Sequence, residues 1–212
     1  MMRRGRKGND TLTFHYPNGK KYTPNITQAN KNRSSFPAIT HGKRGMTLEE
    51  DINESNKYYR ATNQAIIHKK PTPIQVVSVD YPQRSSAKIT EAYFKQPSTT
   101  DYNGIYRGKY IDFEAKETKN KTSIPLNNFH THQVEHMQAV HEHGGISFLI
   151  VRFSTLQRTY LYDVTHFVPW FFQHQRKSIP LKAIESEGYL IPESYAPRLH
   201  YLQVVEDIYF HQ

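Results

Sequence analysis

The chain has 212 residues, no cysteine, 36% hydrophobic residues and a formal net charge of +9. That is enough apolar material for one domain with a core, and nothing for a disulfide framework or thiol chemistry. No run of about 18 apolar residues is available to span a membrane, and no apolar segment follows the basic start Met1–Lys7. A secretory signal is therefore not expected, and a cytoplasmic location is.

The charge is unevenly placed. Residues 1–44 hold ten Lys/Arg and one acid, Asp10, while the rest of the chain balances eighteen against eighteen. Residues 1–35, rich in Lys, Arg, Asn, Thr and Gly, read as a flexible basic arm ahead of one domain over 36–212. A cationic tether to a neutral body points to a polyanion, with Arg33, Lys43 and Arg44 as phosphate contacts. The arm lacks the apolar face of a membrane-surface helix. Phe14, Tyr16 and Tyr22 among the cations suit base stacking, although a few aromatics are a weak signal.

Thr47-Leu48-Glu49-Glu50 opens a helix, with Thr47 as N-cap and Glu50 at the capping-box position, running to about Asn63. Glu50 and Glu54 read as structural. Ala65–His68 is a short strand broken by Pro71 and Pro73. Ile74–Val79 and Ala87–Phe94 are two more, joined by a polar loop. The span 69–95 carries Lys69, Lys70, Arg84, Lys88 and Lys95. It reads as a projecting β element able to touch nucleic acid; an ordinary basic hairpin would look the same.

The most informative stretch follows. In Tyr110–Thr118, Ile111, Phe113 and Ala115 alternate with Asp112, Glu114 and Lys116. A strand sends successive side chains to opposite faces, so the apolar three face a core and the charged three line the other side. Arg107-Gly108-Lys109 reads as a turn, which puts Asp101 one hairpin upstream of Glu114. Phosphodiester hydrolysis needs a proton taken from water and negative charge stabilised on phosphate. A hard cation such as Mg²⁺ serves both and favours carboxylate oxygens. Asp101 and Glu114 can supply these. Lys116, on the same face, can point at the water or the developing charge. Any isolated Glu-x-Lys is more often a solvated strand face. An upstream Asp and a strict period-2 apolar face make the joint pattern less ordinary.

Leu126–His143 reads as a helix ended by Gly144-Gly145. It carries His130, His132, His136, His141 and His143. His132 and His136 have i,i+4 zinc spacing, but Gln133 stands where a zincin has Glu and no third ligand is evident. Solvated or DNA-facing histidines are expected. Gln133, one turn into the helix, could lean over a metal or its water. Ile146–Phe153 is nearly continuously apolar, hence a central strand buried on both faces. Thr159–Val164 is another strand, His166–His174 a short helix with Pro169 placed early or at a kink, and Leu199–Phe210 a closing helix. The aromatic C-terminal third reads as core or dimer interface. The alternation of strands and helices argues for an α/β fold with a mixed sheet.

Several long motifs together resemble a known family. They are Tyr16–Lys20, Arg44–Glu49, Ile67–Pro73, Thr99–Gly104, Asp112–Thr118, Phe129-His130 through His136-Met137, and Tyr195–Arg198. The chain resembles the RecU Holliday junction resolvases of Gram-positive bacteria over nearly its whole length. The extreme N-terminus and the histidine-rich helix end are less typical. The resemblance implies a restriction-endonuclease-like core, with a mixed central sheet flanked by helices and a β stalk matching 69–95. It implies a homodimer acting on four-way DNA junctions, with contact to the RecA recombinase and a nucleoid-associated location. It implies Mg²⁺, with Mn²⁺ as a substitute, held by Thr99, Asp101, Glu114 and Gln133. Lys116 would stabilise the transition state. Asp112 would be a second-metal or a structural carboxylate.

The expected activity is thus paired nicking of Holliday junctions in recombination and repair. A nuclease of the same fold acting on linear duplex is the alternative. A non-catalytic, strand-annealing partner of the recombinase is another, against which the intact Asp101, Glu114 and Lys116 speak.

Overall fold

β5 (Lys109–Thr118) and β7 (Ile146–Phe153) run parallel at the middle of a six-stranded sheet. The computed structural model describes residues 46–81, 87–95, 99–173 and 175–211. All fall within the unit Lys43–Gln212. The expectations for the basic arm, and those for Arg33, Lys43, Arg44 and Arg84, lie outside the described residues.

The sheet order is β1 (Ala65–Lys69), β4 (Tyr102–Tyr106), β5, β7, β8 (Arg158–Asp163) and β10 (Tyr189–Leu190). Every pair except β5–β7 is antiparallel. The parallel pair needs a crossover, which α2 (Thr131–Glu142) supplies. This is the mixed α/β sheet flanked by helices that the sequence pattern predicts. All eight residues of β7 are buried. Phe148 and Ile150 enter a core under α1 (Leu48–Ala61) and α5 (Tyr201–Tyr209). Leu149 and Val151 enter a second core, shared with α2, α3 (Val164–Phe172) and α4 (Leu181–Glu187).

Local chemistry explains the boundaries. Thr47 Oγ1 accepts the Glu50 N–H at 3.3 Å and Glu50 Oε2 accepts the Thr47 N–H at 2.9 Å, so α1 starts on a complete capping box. Arg107 (φ 47°) and Gly108 (φ +77°) make the two-residue turn that joins β4 to β5. Gly104 is required by space. A Cβ there would lie 2.1 Å from the Ile66 carbonyl oxygen of β1. The helix expected over Leu126–His143 is split. Leu126–Asn128 form a 3₁₀ turn, and extended His130 caps a helix that starts only at Thr131. α3 begins earlier than expected because Asp163 Oδ1 accepts the Thr165 N–H at 2.7 Å as an N-cap.

Among the described residues β2 (Ile74–Asp80) and β3 (Lys88–Phe94) pair only with each other, antiparallel and with a register irregularity near Ser78. Nearly all their residues are exposed. No helix among the described residues is long and apolar enough to cross a membrane.

Candidate active site

The alternation of β5 works as predicted on one face. Ile111 and Phe113 are buried against α1 and α5, with the Phe113 ring stacked between Tyr102 and Phe148 at 4.9 Å on each side. The charged face is not open to solvent, however. Helix α2 lies over it, and both Asp112 and Glu114 are fully buried.

Glu114 is the point where the site converges. Its Oε2 accepts the Asp101 backbone N–H at 3.0 Å, and Lys116 Nζ stands 2.6 Å from its Oε1. Gln133 Nε2 lies 3.3 Å from both Glu114 oxygens and 3.3 Å from the Thr99 carbonyl oxygen. Burial pushes the Glu114 carboxyl up to about 7, the Asp101 charge adds to the rise, and Lys116 opposes it. The Lys116 ammonium also sits 5.9 Å from the centre of the Phe129 ring. Thr99, Asp101, Glu114, Lys116 and Gln133 are thus brought together from a loop, a strand and a helix far apart in sequence.

Asp112 is one step along the same face. Lys70 Nζ approaches its Oδ2 at 2.7 Å, the Tyr110 hydroxyl donates to the same oxygen at 2.8 Å, and the Thr100 hydroxyl donates to Oδ1. His136 Nε2 is 3.4 Å from Oδ1. Both oxygens of Asp112 are taken up by protein donors.

The basic residues separate. Lys69 Nζ pairs with Glu49 Oε1 at 2.6 Å, beside a cleft of about 280 Å³ lined by Leu48, Asp101, Ala115 and Glu117. Lys88 lies exposed on the ribbon. Lys70 turns inward. Sequence reasoning passed over Thr100 and Tyr110, although Tyr110 shares the face of Asp112 two residues on. It also passed over Glu117, whose Oε2 accepts the Leu48 N–H at 2.8 Å at the start of α1.

The groups here able to ligate a cation offer oxygens: the Asp101 and Glu114 carboxylates and the Thr99 carbonyl. They suit a hard divalent cation and offer nothing to a soft one. Among the described residues no group of three or more His, Asp or Glu is clustered as a metal centre. Gln133 fits least directly, because its Oε1 accepts the His130 N–H at 3.2 Å and its amide nitrogen faces Glu114. Only rotation of that amide would bring its oxygen round.

The family model for recombination protein U, RecU, matches residues 43–207. A protein of Geobacillus kaustophilus (strain HTA426), named Holliday junction resolvase RecU, is 56% identical over 202 residues, covering 94% of this chain and 99% of its own. The chain belongs to the RecU family. A RecU resolvase of Geobacillus sp. (strain WCH70) is 58% identical over the same shares of both chains, and one of Bacillus cereus (strain G9842) is 52% identical. Among solved structures, the Hjc resolvase of Archaeoglobus fulgidus overlaps 49% of this chain and 78% of its own, at 12% identity and a TM-score of 0.33. Membership in RecU gives the set of buried Glu114 with half-buried Asp101 and Lys116 a context that a solvated strand face would not have.

Proposed function

We propose that this chain is a metal-dependent endonuclease that resolves Holliday junctions by paired symmetric nicks in homologous recombination and DNA repair. Mg²⁺ is its cofactor and Mn²⁺ a substitute. Its core is of the restriction-endonuclease type. The observation that carries this reading is the convergence on Glu114 of the Asp101 backbone at 3.0 Å and the Lys116 ammonium at 2.6 Å. That set stands in a chain aligned with named resolvases over 99% of their length or more.

Asp101 and Glu114, with the Thr99 carbonyl, would hold the cation. Bound there, it supplies Lewis acidity at the phosphate and a water of lowered pKa. Glu114 reaches its ionised form more readily beside such a charge, which offsets the burial and the Asp101 repulsion that raise it. Gln133 keeps the Glu114 carboxylate oriented through the contacts at 3.3 Å. The Lys116 ammonium stands next to the same carboxylate, where it can hold the attacking water or the negative charge that develops on phosphate.

A four-way junction is close to two-fold symmetric, so two opposed nicks call for two identical sites. A C2 homodimer supplies them. Ile66, Ile105 and Tyr110 form one cross-strand row on β1, β4 and β5 and are all exposed. A second copy would cover such a row. The β2–β3 ribbon serves as the stalk, with Lys69, Arg84 and Lys88 as DNA contacts and with room for a recombinase. The basic arm with Arg33, together with Lys43 and Arg44 that follow it, brings in the phosphates. The work is done in the cytoplasm, at the nucleoid.

The test is a labelled mobile four-way junction beside a linear duplex, with Mg²⁺ or EDTA, for the wild type and Glu114→Ala. Symmetric nicks lost in EDTA and in the variant support the reading. Equal cutting of plain duplex overturns it in favour of the duplex nuclease. Junction binding without cutting under any metal points to a non-catalytic partner.

A further inference from the structure

Asp101 belongs to no helix or strand. It ends the irregular segment Thr99–Asp101, which lies between the ribbon and β4. A carboxylate on such a segment serves a reaction only if the segment is held in place. Three of its restraints come from groups on β5 and α2. The Thr99 carbonyl faces Gln133, the Thr100 hydroxyl donates to Asp112, and the Asp101 N–H donates to Glu114.

Two more come from one residue. The Lys70 backbone N–H donates to the Asp101 carbonyl at 2.8 Å. Its Nζ donates to Thr100 Oγ1 at 2.9 Å and to Asp112 Oδ2 at 2.7 Å. The Lys70 side chain is 19% exposed and that of Asp112 is 0% exposed. A buried carboxylate is tolerated when an opposite charge and hydroxyl donors surround it. Removing the cation alone leaves an uncompensated charge that neighbouring groups must move to accommodate. Thr100, bonded to both partners, would move with it. The adjacent Lys69, paired with the exposed Glu49, has no such tie to the segment.

We propose that Lys70 is a positioning residue rather than a phosphate contact. Its ion pair with Asp112 clamps Thr100 and, together with its backbone bond to Asp101, fixes where the Asp101 carboxylate stands relative to Glu114. Lys70 matters to cleavage only if the chain is the junction nuclease argued above, so the first measurement uses the metal-free protein without DNA.

Hydrogen–deuterium exchange of the peptide spanning 99–104 is compared with that of 146–153 in central β7. In Lys70→Met the first peptide should exchange about 10-fold faster, and the second should be unchanged. The neutral pair Lys70→Met with Asp112→Asn should recover part of the protection, because no buried charge is left stranded. On the junction, Lys70→Met should keep wild-type affinity and salt dependence in EDTA. Its single-turnover cleavage in Mg²⁺ should fall about 10- to 100-fold, with partial recovery in the neutral pair. If Lys70→Met does not fold, Lys70→Gln takes its place with the same expectations. Unchanged exchange at 99–104 overturns the proposal. So does weakened junction binding with a salt slope reduced by about one and normal cutting at saturation, the behaviour of a phosphate contact. A wild type that leaves junctions uncut sinks the resolvase reading, and the exchange data still decide the role of Lys70.

Discussion

β5 and the β2–β3 ribbon both carry apolar and charged residues on extended backbone, yet the fold treats them in opposite ways. In β5, Ile111, Asp112, Phe113 and Glu114 are all buried, and each carboxylate is met by an ammonium and by hydrogen-bond donors. In the ribbon, Phe94 is 84% exposed and Tyr93 62% exposed, and among the described residues the two strands pair only with each other. A two-stranded ribbon alone is marginal in water. Large apolar side chains left open on one suggest a surface meant for another molecule. The difference separates two tasks: β5 holds chemical groups still, while the ribbon offers area.

That contrast can be broken at several strengths. The largest expected effect is on turnover. Glu114→Ala and Lys116→Ala should each lower the single-turnover cleavage rate about 10²- to 10³-fold or more, with junction affinity in EDTA retained. An equal loss of affinity for Lys116→Ala would mean that it grips phosphate and does little else. Next comes Gly104→Ala. Its Cβ would meet the Ile66 carbonyl oxygen at 2.1 Å, so β1 must move or the pairing must open. A loss of about 3 kcal/mol or more is expected in urea denaturation. A near-neutral result would show that the sheet edge beside the site is far softer than β5.

A comparable effect should appear with pH. The folded-state pKa of Glu114 is raised from an ordinary 4.5 to about 7. Between these values the folded protein binds more protons than the unfolded chain, so stability falls as pH rises through that window and is level above it. In metal-free protein the fall should approach about 3 kcal/mol, and Glu114→Gln should flatten it. A wild-type curve without that slope would mean the carboxylate is less desolvated than the fold implies. The smallest effect on stability belongs to the ribbon. Phe94→Ser should change it by about 0.5 kcal/mol or less, while weakening dimerisation or junction binding. Substantial unfolding would show that the ribbon belongs to the core after all.

Much of this was legible in the sequence where the signal is local. The capping box Thr47–Glu50, the turn Arg107-Gly108 and the apolar run Ile146–Phe153 each depend on neighbours in the chain, and each appears at its expected place. The alternation of β5 gave the correct faces but not the burial of the charged one. That depends on α2 docking from a later stretch, with Gln133 and His136 over Glu114 and Asp112. The inward turn of Lys70 was illegible for the same reason, since its partners lie 30 and 42 positions away. The short strands β6 (Ser123–Pro125) and β9 (Ser178–Pro180), which pair with each other, carry too few residues for any periodicity.

The hydrogen bond from the Lys70 N–H to the Asp101 carbonyl has an evolutionary consequence. It closes the chain on itself at the foot of the ribbon, so the β2–β3 ribbon is an excursion that returns to where it left. Such a loop can lengthen, shorten or be exchanged at little entropic cost to the rest, because closure entropy grows only slowly with length. On the stalk role proposed above, the appendage could be refitted to a different junction or helper while Asp101, Glu114 and Lys116 stay in place.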